Sequence, residues 1–324
     1  MGAPKVFIDG SAGTTGLRIR ERLAERADVD AVVLPEELRK DAGARAEALN
    51  AADVAFLCLP DDAAREAVSL VTNPRTVIID TSTAHRTAPG WTYGFPELPG
   101  AREAIAASTR IANPGCHAIG FISLVAPLVA AGLIAPAQVL TAFSLTGYSG
   151  GGKKMIAQYE DPAGRDPLLD APRAYGLTQQ HKHLPEMRQV CGLDVEPVFM
   201  PVVAPYLQGM QVSVLLPASA LQSLGCAGKG AGALDAIEAV YRETYRDGVV
   251  QVRSNEQLQE AEGGYLSASA YSGRDGMVVG AVGNGERIVL VSRFDNLGKG
   301  ASGAAIQNMN VVLGLPETTG LVLG

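Results

Sequence analysis

Cysteine is scarce in this chain of 324 residues: there are four, Cys58, Cys116, Cys191 and Cys226. They are scattered without paired spacing, which argues against a disulfide framework or a cysteine zinc site and fits a reducing cytoplasm. Charge is also sparse, at 19% of residues with a formal net charge of -7 and a pI near 5.2. No basic run or interleaving of basic with aromatic side chains is present, so nucleic acid is not expected as a partner. No uninterrupted apolar stretch approaches the roughly 20 residues of a membrane helix. The opening Met1-Gly-Ala-Pro-Lys-Val-Phe-Ile8 lacks the apolar stretch and cleavage site of a signal peptide, and a soluble cytoplasmic protein is expected. Internal repeats and low-complexity linkers are missing too. What remains is a composition 47% hydrophobic, in a chain long enough for two packed domains.

Two stretches carry the organisation. The first is the apolar strand Lys5-Val-Phe-Ile-Asp9, followed at once by Gly10-Ser-Ala-Gly-Thr-Thr-Gly16 and a helical pattern with Leu17, Ile19 and Leu23. Gly10, Gly13 and Gly16 let the backbone turn sharply and approach a pyrophosphate, whose charge the helix N-terminus meets. The spacing Gly-x-x-Gly-x-x-Gly departs from the usual dinucleotide fingerprint, and taken alone it reads equally as a glycine-rich turn. Context favours the nucleotide. Ala31-Val-Val-Leu34, Val54-Ala-Phe-Leu-Cys-Leu59 and Thr76-Val-Ile-Ile-Asp80 are further short strands separated by helical segments such as Asp62 to Leu70, an alternation that predicts a parallel, doubly wound sheet. The loops at their downstream ends, with Pro60 and Asp61 and with Thr81 to Arg86, are expected to line a cofactor crevice. Ser82 reads equally as a turn residue and as a ligand contact. Glu36 and Glu37 precede Arg39 and Lys40, so both the acid that favours NAD and the cation that favours NADP are present, and charge does not decide.

The second stretch is Ile111-Ala-Asn-Pro-Gly-Cys-His-Ala-Ile-Gly-Phe121. Pro114 and Gly115 suit a tight turn, and the run from His117 through Ala131 reads as a mostly buried helix, so Cys116 is placed at a helix N-terminus. Such a position favours negative charge and lowers a thiol pKa from about 8.5 toward neutrality. The alternative, a buried small hydrophobe, is the commoner fate of a free cysteine. The turn favours a nucleophile. After this helix the composition changes: Val139 to Leu145 and Val198 to Pro217 look like strands of a different, antiparallel or mixed sheet. Thr146-Gly-Tyr-Ser-Gly-Gly-Gly-Lys153 offers consecutive glycines that form either an anion nest or a floppy loop. Tyr175-Gly-Leu-Thr-Gln-Gln-His-Lys-His-Leu-Pro-Glu-Met187 groups His181, His183 and Glu186. Zinc would need further ligands that the spacing does not supply, so acid–base work is favoured over metal. Asp235 to Arg246 reads as an amphipathic helix, and Met277 to Ser292 as a hairpin around Gly283-Asn-Gly285. The small-residue helix that follows Asp295 is expected to return to the first domain. This gives residues 1–115 and 302–324 as one domain and 116–301 as the other.

Four ordered motifs, Asn113-Pro-Gly-Cys116, Thr146-Gly-Tyr-Ser-Gly150, His181-Lys-His-Leu-Pro-Glu186 and Asp295-Asn-Leu-Gly-Lys-Gly300, resemble those of the N-acetyl-gamma-glutamyl-phosphate reductase family in its shorter type 2 form. The resemblance runs essentially end to end. It implies an α/β fold with a doubly wound Rossmann-type domain and an α+β catalytic and dimerisation domain of the semialdehyde dehydrogenase kind. It also implies NADP(H) as cofactor, an acyl-phosphate or semialdehyde substrate of arginine biosynthesis, and a homo-oligomer, dimer or tetramer. Cys116 matches the family nucleophile and His181 its acid–base group, while Ser149, Tyr175, His183 and Glu186 match positions lining the substrate pocket. Arg86, Asn113 and the nest beginning at Gly150 are candidates for phosphate contact. Gly10, Ser11, Gly13, Thr14, Thr15 and Gly16, with Pro60, Ser82, Asn296, Lys299 and Gly300, are expected on the cofactor.

The implied chemistry is attack of the Cys116 thiolate on the acyl phosphate, loss of phosphate, and hydride reduction of the thioester, with His181 handling the proton. Rivals in the same class are aspartate-semialdehyde dehydrogenase, whose cysteine directly follows its asparagine, unlike Asn113-Pro-Gly-Cys116, and a lysine-pathway carrier-protein reductase. A nicotinamide-binding redox sensor without turnover would leave the His181 cluster unexplained.

Overall fold

The computed structural model describes residues 2–222, 232–246 and 248–323. They divide into two compact units, Met1–Gly115 with Ala301–Leu321, and Cys116–Gly300 with Val322–Gly324.

The first unit alternates short strands and helices: β1 (Lys5–Asp9), α1 (Thr14–Ala24), β2 (Asp30–Val32), α2 (Ala42–Ala51), β3 (Val54–Leu57), α3 (Asp61–Ser69), β4 (Val77–Asp80), β5 (Thr92–Tyr93), α4 (Ala101–Ala106) and β6 (Arg110–Ala112). The strands form one sheet in the order β2-β1-β3-β4-β6-β5, and every neighbouring pair is parallel. Both faces are covered, as the period of two along β1 shows. Val6 and Ile8 pack with Ile19 and Leu23 of α1, Ile105 of α4, and Ala305, Ile306 and Met309 from the far end of the chain. Phe7 points the other way, with Leu49 of α2 and Ala64 and Ala67 of α3. This is a doubly wound sheet. The strand order reverses beside β1, so the switch point lies between the downstream ends of β1 and β3, where such folds place their ligands.

The second unit opens with α5 (Cys116–Ala130), followed by β7 (Thr141–Gly147), α6 (Gly152–Glu160), β8 (Arg173–Ala174), α7 (Leu184–Cys191), β9 (Val198–Ala204), β10 (Met210–Pro217), α8 (Gly232–Thr244), β11 (Val250–Arg253), α9 (Asn255–Glu260), β12 (Met277–Gly283) and β13 (Arg287–Phe294). Its sheet runs β11-β12-β13-β10-β7-β9-β8. It is mixed: β7 is parallel to β9 and antiparallel to β10, and β12 and β13 form the expected hairpin. The sequence from Val198 to Pro217 is two strands separated by a turn. The apolar α5 lies over this sheet, with its Gly120 so close to β10 and β13 that a Cβ there would come within 2.5 Å of Val212 and 2.8 Å of Phe294.

A π-helical turn at Gly298–Ser302 leads into α10 (Gly303–Val312), whose buried Ala304, Ala305, Ile306 and Met309 belong to the first unit. The end of the chain differs from the expected 302–324 segment. Ala301 already belongs to the first unit and the last three residues to the second. The reason is local: the N–H of Asp275 donates to the Val322 carbonyl at 2.6 Å, and Val322 N–H donates back to the Asp275 carboxylate at 2.9 Å.

Candidate active site

Cys116 is the first residue of α5, directly after the turn Asn113-Pro114-Gly115 that leaves β6. Its thiol therefore sits at the end of a helix where backbone N–H groups lack intrahelical acceptors. It is partly exposed, whereas the next residues are buried. Gly300 backs onto it: a Cβ at position 300 would come 2.9 Å from the Cβ of Cys116, so only glycine allows this close approach. The other described thiols are different. Desolvation pushes Cys58 up to about 12 against a hydrogen bond with Thr81, and burial raises Cys191 well above its ordinary value. Cys226 lies outside the described residues.

The second unit gathers an aromatic box from three elements. His117 of α5 has ring neighbours His181 at 5.4 Å, His183 at 5.6 Å and Phe199 of β9 at 5.4 Å. Tyr175 lies 5.9 Å from His181, and the two rings His181 and His183 meet edge to face at 4.8 Å. The phenol of Tyr175 hydrogen-bonds His117 Nε2 at 2.6 Å, and His117 Nδ1 is 2.7 Å from Ser144 Oγ on β7. Burial and the charge of Cys116 both raise the Tyr175 pKa. His183 and Glu186 are buried while His181 is half-exposed. Glu186 Oε1 is 4.0 Å from His183 Nε2, and His181 Nδ1 accepts the backbone N–H of His183 at 3.2 Å. A neutral His181 therefore carries its proton on Nε2. Among the described residues no group of three or more His, Cys, Asp or Glu side chains could hold a metal ion.

The residues expected on a phosphate or cofactor fall into separate settings. In the second unit, Asn296 donates to Ser149 Oγ at 3.0 Å and accepts the Gly209 N–H at 2.9 Å, so its amide ties the Ser149 turn to the sheet. Lys299 is fully buried. Gly150 lies in a 3-10 turn, Tyr148–Gly151, that runs straight into α6, an ordered turn where the sequence left a loop open. In the first unit, Asn113 spends its amide on Ala301 O at 3.0 Å and on Asn308 at 3.2 Å, and Arg86 donates to the Asn113 carbonyl at 3.0 Å and to Thr81 O at 3.1 Å. Ser82 Oγ donates to Asp80 at 2.7 Å, which is the turn role weighed for it. Pro60 is the N-cap of α3. Arg39 pairs with Glu36 at 2.6 Å, so the mixed charges after β2 partly neutralise each other.

The glycine turn fits a dinucleotide pyrophosphate. Gly10 has φ +86°, and a Cβ on it would lie 2.3 Å from the Cys58 carbonyl at the end of β3. A Cβ on Gly16 would lie 2.5 Å from the Gly10 carbonyl. The turn thus folds tightly at the switch point, and α1 begins at Thr14 with no side chain capping it. Its first N–H groups are the donors an anion needs.

His117, Ser144 and Phe199 were not among the expected site residues. A signal existed for two of them: His117 adjoins Cys116, and Ser144 is a polar residue on the inward-facing alternation of β7.

Comparison with known proteins agrees with this geometry. Residues 116–296 match the semialdehyde dehydrogenase dimerisation domain, and residues 34–108 match the semialdehyde dehydrogenase NAD binding domain. N-acetyl-gamma-glutamyl-phosphate reductase 2 of Nostoc sp. is 46% identical over 99% of this chain and 100% of its own. A second relative, N-acetyl-gamma-glutamyl-phosphate reductase 2 of Pseudomonas putida, is 44% identical over 99% of this chain and 100% of its own. The chain belongs to the N-acetyl-gamma-glutamyl-phosphate reductase family. Its fold is also that of aspartate semialdehyde dehydrogenases. The Vibrio cholerae aspartate semialdehyde dehydrogenase II complexed with ASA has a TM-score of 0.69 at 16% identity, covering 97% of this chain and 99% of that one. A Candida albicans aspartate semialdehyde dehydrogenase with NADP has a TM-score of 0.64 at 15% identity, covering 96% and 99%. At such identities the likeness extends to the fold alone.

Proposed function

We propose that this family member reduces N-acetyl-glutamyl 5-phosphate to N-acetyl-glutamate 5-semialdehyde and phosphate with NADPH, as a step of arginine biosynthesis. The observation that carries the reading is Cys116, a partly exposed thiol at the first position of α5 whose charge bears on Tyr175, in a chain whose full-length relatives bear this name.

The Cys116 thiolate attacks the acyl carbon, a C–S bond forms, and the C–O bond to phosphate breaks. Backbone N–H groups at the start of α5 stabilise the oxyanion that develops in this step. A nicotinamide cofactor, when bound, would supply the hydride that brings the thioester carbon to the aldehyde oxidation level. Gly10, Ser11, Gly13 and Thr14 to Gly16 would hold its pyrophosphate at the uncapped start of α1. His181, the more accessible of the two histidines, gives and retrieves the proton as the C–S bond breaks and releases aldehyde and thiolate. His183 and Glu186 form the buried floor beneath it. Asn113 and Arg86 act as scaffold for the turn that presents the cysteine, while Ser149 and Gly150 offer polar contacts to the substrate. Asn296, Lys299 and Gly300 support the cysteine and the Ser149 turn.

The protein works as a homo-oligomer in the cytoplasm. No described helix is long and apolar enough to cross a membrane. Phe143, Val198, Met200 and Leu215 are exposed on one face of the mixed sheet, in neighbouring register, and this apolar face lies within the stretch matching a dimerisation domain. A second copy is the occupant that fits.

The test of the activity is the reverse reaction: NADP reduction with N-acetyl-glutamate semialdehyde and phosphate. Formation of NADPH that requires phosphate supports the reading, and phosphate-independent or absent reduction overturns it.

A further inference from the structure

Arg173 lies on the edge strand β8, opposite Val203 of β9. Tyr175 continues the pairing, its N–H donating to the Pro201 carbonyl at 3.0 Å. Side chains two apart on a strand share a face, and the Tyr175 phenol marks this face as the one toward α5, because it meets His117 Nε2 at 2.6 Å. Arg173 is therefore on the His117 side of the sheet, roughly 7 Å along the strand from Tyr175. Tyr159 of α6 holds its guanidinium: Nη2 donates to the Tyr159 hydroxyl at 3.0 Å, and Cζ lies 5.4 Å from the centre of that ring. The same ring stacks at 4.5 Å on Tyr148, the residue before Ser149. Tyr148 and Tyr175 both pack against the cluster of Tyr159, Leu169 and Val203, so the cation is tied to the two segments that carry Tyr175 and Ser149.

A half-buried guanidinium usually ends on a carboxylate, but Arg173 does not. Its Nε is buried without a hydrogen bond, and among the described residues its hydrogen-bond partner is Tyr159 alone. The acids of the neighbouring segment are engaged elsewhere. Glu160 accepts from Tyr148 at 3.1 Å, Asp161 accepts the N–H groups of Ala163 and Gly164, Asp166 accepts that of Leu168, and Asp170 pairs with Arg165 at 2.6 Å. An N-acetyl-glutamyl substrate brings an α-carboxylate, and a carboxylate taken out of water needs a charged or multiply hydrogen-bonded partner. Ser149, Tyr175, His183 and Glu186 include no permanent cation.

We infer that Arg173 binds the α-carboxylate of the substrate through its remaining guanidinium N–H groups, an inference that rests on the proposed reductase reading. Position favours the carboxylate over the phosphate. Phosphate leaves from the carbon that Cys116 attacks, and Cys116 lies toward β13, since a Cβ on Gly300 would come within 2.9 Å of Cys116 and 3.2 Å of Phe294. Strand β8 is separated from β13 by β10, β7 and β9, and the carboxylate is at the end of the carbon chain opposite the reacting carbon. The planar fork of arginine matches its two oxygens.

The test compares N-acetyl-glutamate semialdehyde with its α-amide in the phosphate-dependent reduction of NADP. The unaltered protein is expected to favour the carboxylate about thirtyfold in kcat/KM, the worth of hydrogen bonds to a charged group. Arg173→Gln should abolish that preference by lowering efficiency with the carboxylate, leaving the α-amide and the KM for phosphate nearly unchanged. Arg173→Lys, which keeps the charge without the fork, should retain part of it. The proposal is overturned if Arg173→Gln keeps the full preference, or loses equally on both compounds as a packing residue would. A rise in the KM for phosphate alone would place Arg173 on the leaving group and overturn it too.

A second measurement needs no turnover: calorimetric titration of N-acetyl-norvaline, which has the acetamide and α-carboxylate but no reacting carbon. Binding to the unaltered protein, weakened about thirtyfold in Arg173→Gln, is the expected result, and equal binding to both, or none to the unaltered protein, contradicts the assignment. If this difference holds while the unaltered protein fails to reduce NADP with N-acetyl-glutamate semialdehyde and phosphate, the reductase reading falls and the carboxylate site stands.

Discussion

His181 and His183 occupy adjacent positions in the aromatic box yet differ in access, and the proposed acid–base role goes to the more accessible ring. His181 is half-exposed and His183 is 4% exposed beside Glu186. His181→Asn is expected to lower kcat about a hundredfold while leaving the dissociation constant for NADP nearly unchanged, as for a group that acts on a proton in the transition state. Steady-state kinetics beside a fluorescence titration of the cofactor measure both. A larger loss of kcat in His183→Asn would move the acid–base role to the buried ring. At this scale the sequence was legible where chemistry is concentrated in a short motif. Cys116 was placed at its helix end because Pro114 and Gly115 dictate a turn, and His181 because it shares a segment with His183 and Glu186. His117 was not legible, because a histidine at the start of an apolar helix reads as core, and only the tertiary approach of Ser144 and Tyr175 gives it polar partners. Asn296 shows the opposite limit: a glycine-rich motif suggested a ligand, but its amide is taken up by Ser149 and Gly209.

Among the elements, strands with strong apolar runs were read with little error, since the hydrophobic period reports which face is buried. The two-residue strands β5 and β8 carry no period and were invisible. The turn after β7 was ambiguous because consecutive glycines specify neither order nor disorder, and α6 following directly settles it as ordered. One buried cation on β13 gives a test of how the elements are held. Arg293 is 2% exposed. It pairs with Glu262, donates to Ser267 O at 2.7 Å and lies 5.2 Å from the Tyr271 ring centre. Desolvation works to raise the Glu262 pKa, but hydrogen bonds from Arg293 and the Ser267 N–H, with the Arg293 charge, hold it below its ordinary 4.5. A depressed carboxylate stabilises the fold above its unfolded pKa and loses that contribution as pH falls through the folded value. Glu262→Gln should therefore cost about 1–2 kcal/mol at pH 7, discounted for the exposure of the carboxylate, and the gap from the parent should close below about pH 4. Urea unfolding of both proteins at each pH measures it, and a gap independent of pH would show that the charge of Glu262 contributes nothing.

For the whole molecule, the sequence announced two domains through the change from alternating strands and helices to longer strands after Cys116. It did not reveal that the last residues pair with Asp275, because that contact spans 47 positions and involves backbone groups. Nor did it reveal the apolar sheet face, which appears only once β7, β9 and β10 are set in register. Phe143→Glu with Met200→Glu should convert the oligomer to monomers, since like charges facing a copy of themselves in an apolar contact are desolvated without partners. Light scattering after size exclusion reads the mass, and an unchanged oligomer would place the interface elsewhere.

The charge on the substrate's amine distinguishes the two candidate semialdehydes. An acetylated amine presents a neutral amide, whereas a free amino acid brings an ammonium whose burial without a partner costs several kcal/mol. On the proposed reading Tyr175, Ser149 and His183 meet that amide, and the Glu186 carboxylate, which could otherwise pair an ammonium, faces His183 Nε2 at 4.0 Å. The decisive measurement is kcat/KM for N-acetyl-glutamate semialdehyde against aspartate semialdehyde at identical phosphate and NADP concentrations. A preference of at least about a hundredfold for the acetylated compound, equivalent to roughly 3 kcal/mol, is the expected result, and equal or greater efficiency with aspartate semialdehyde would contradict it.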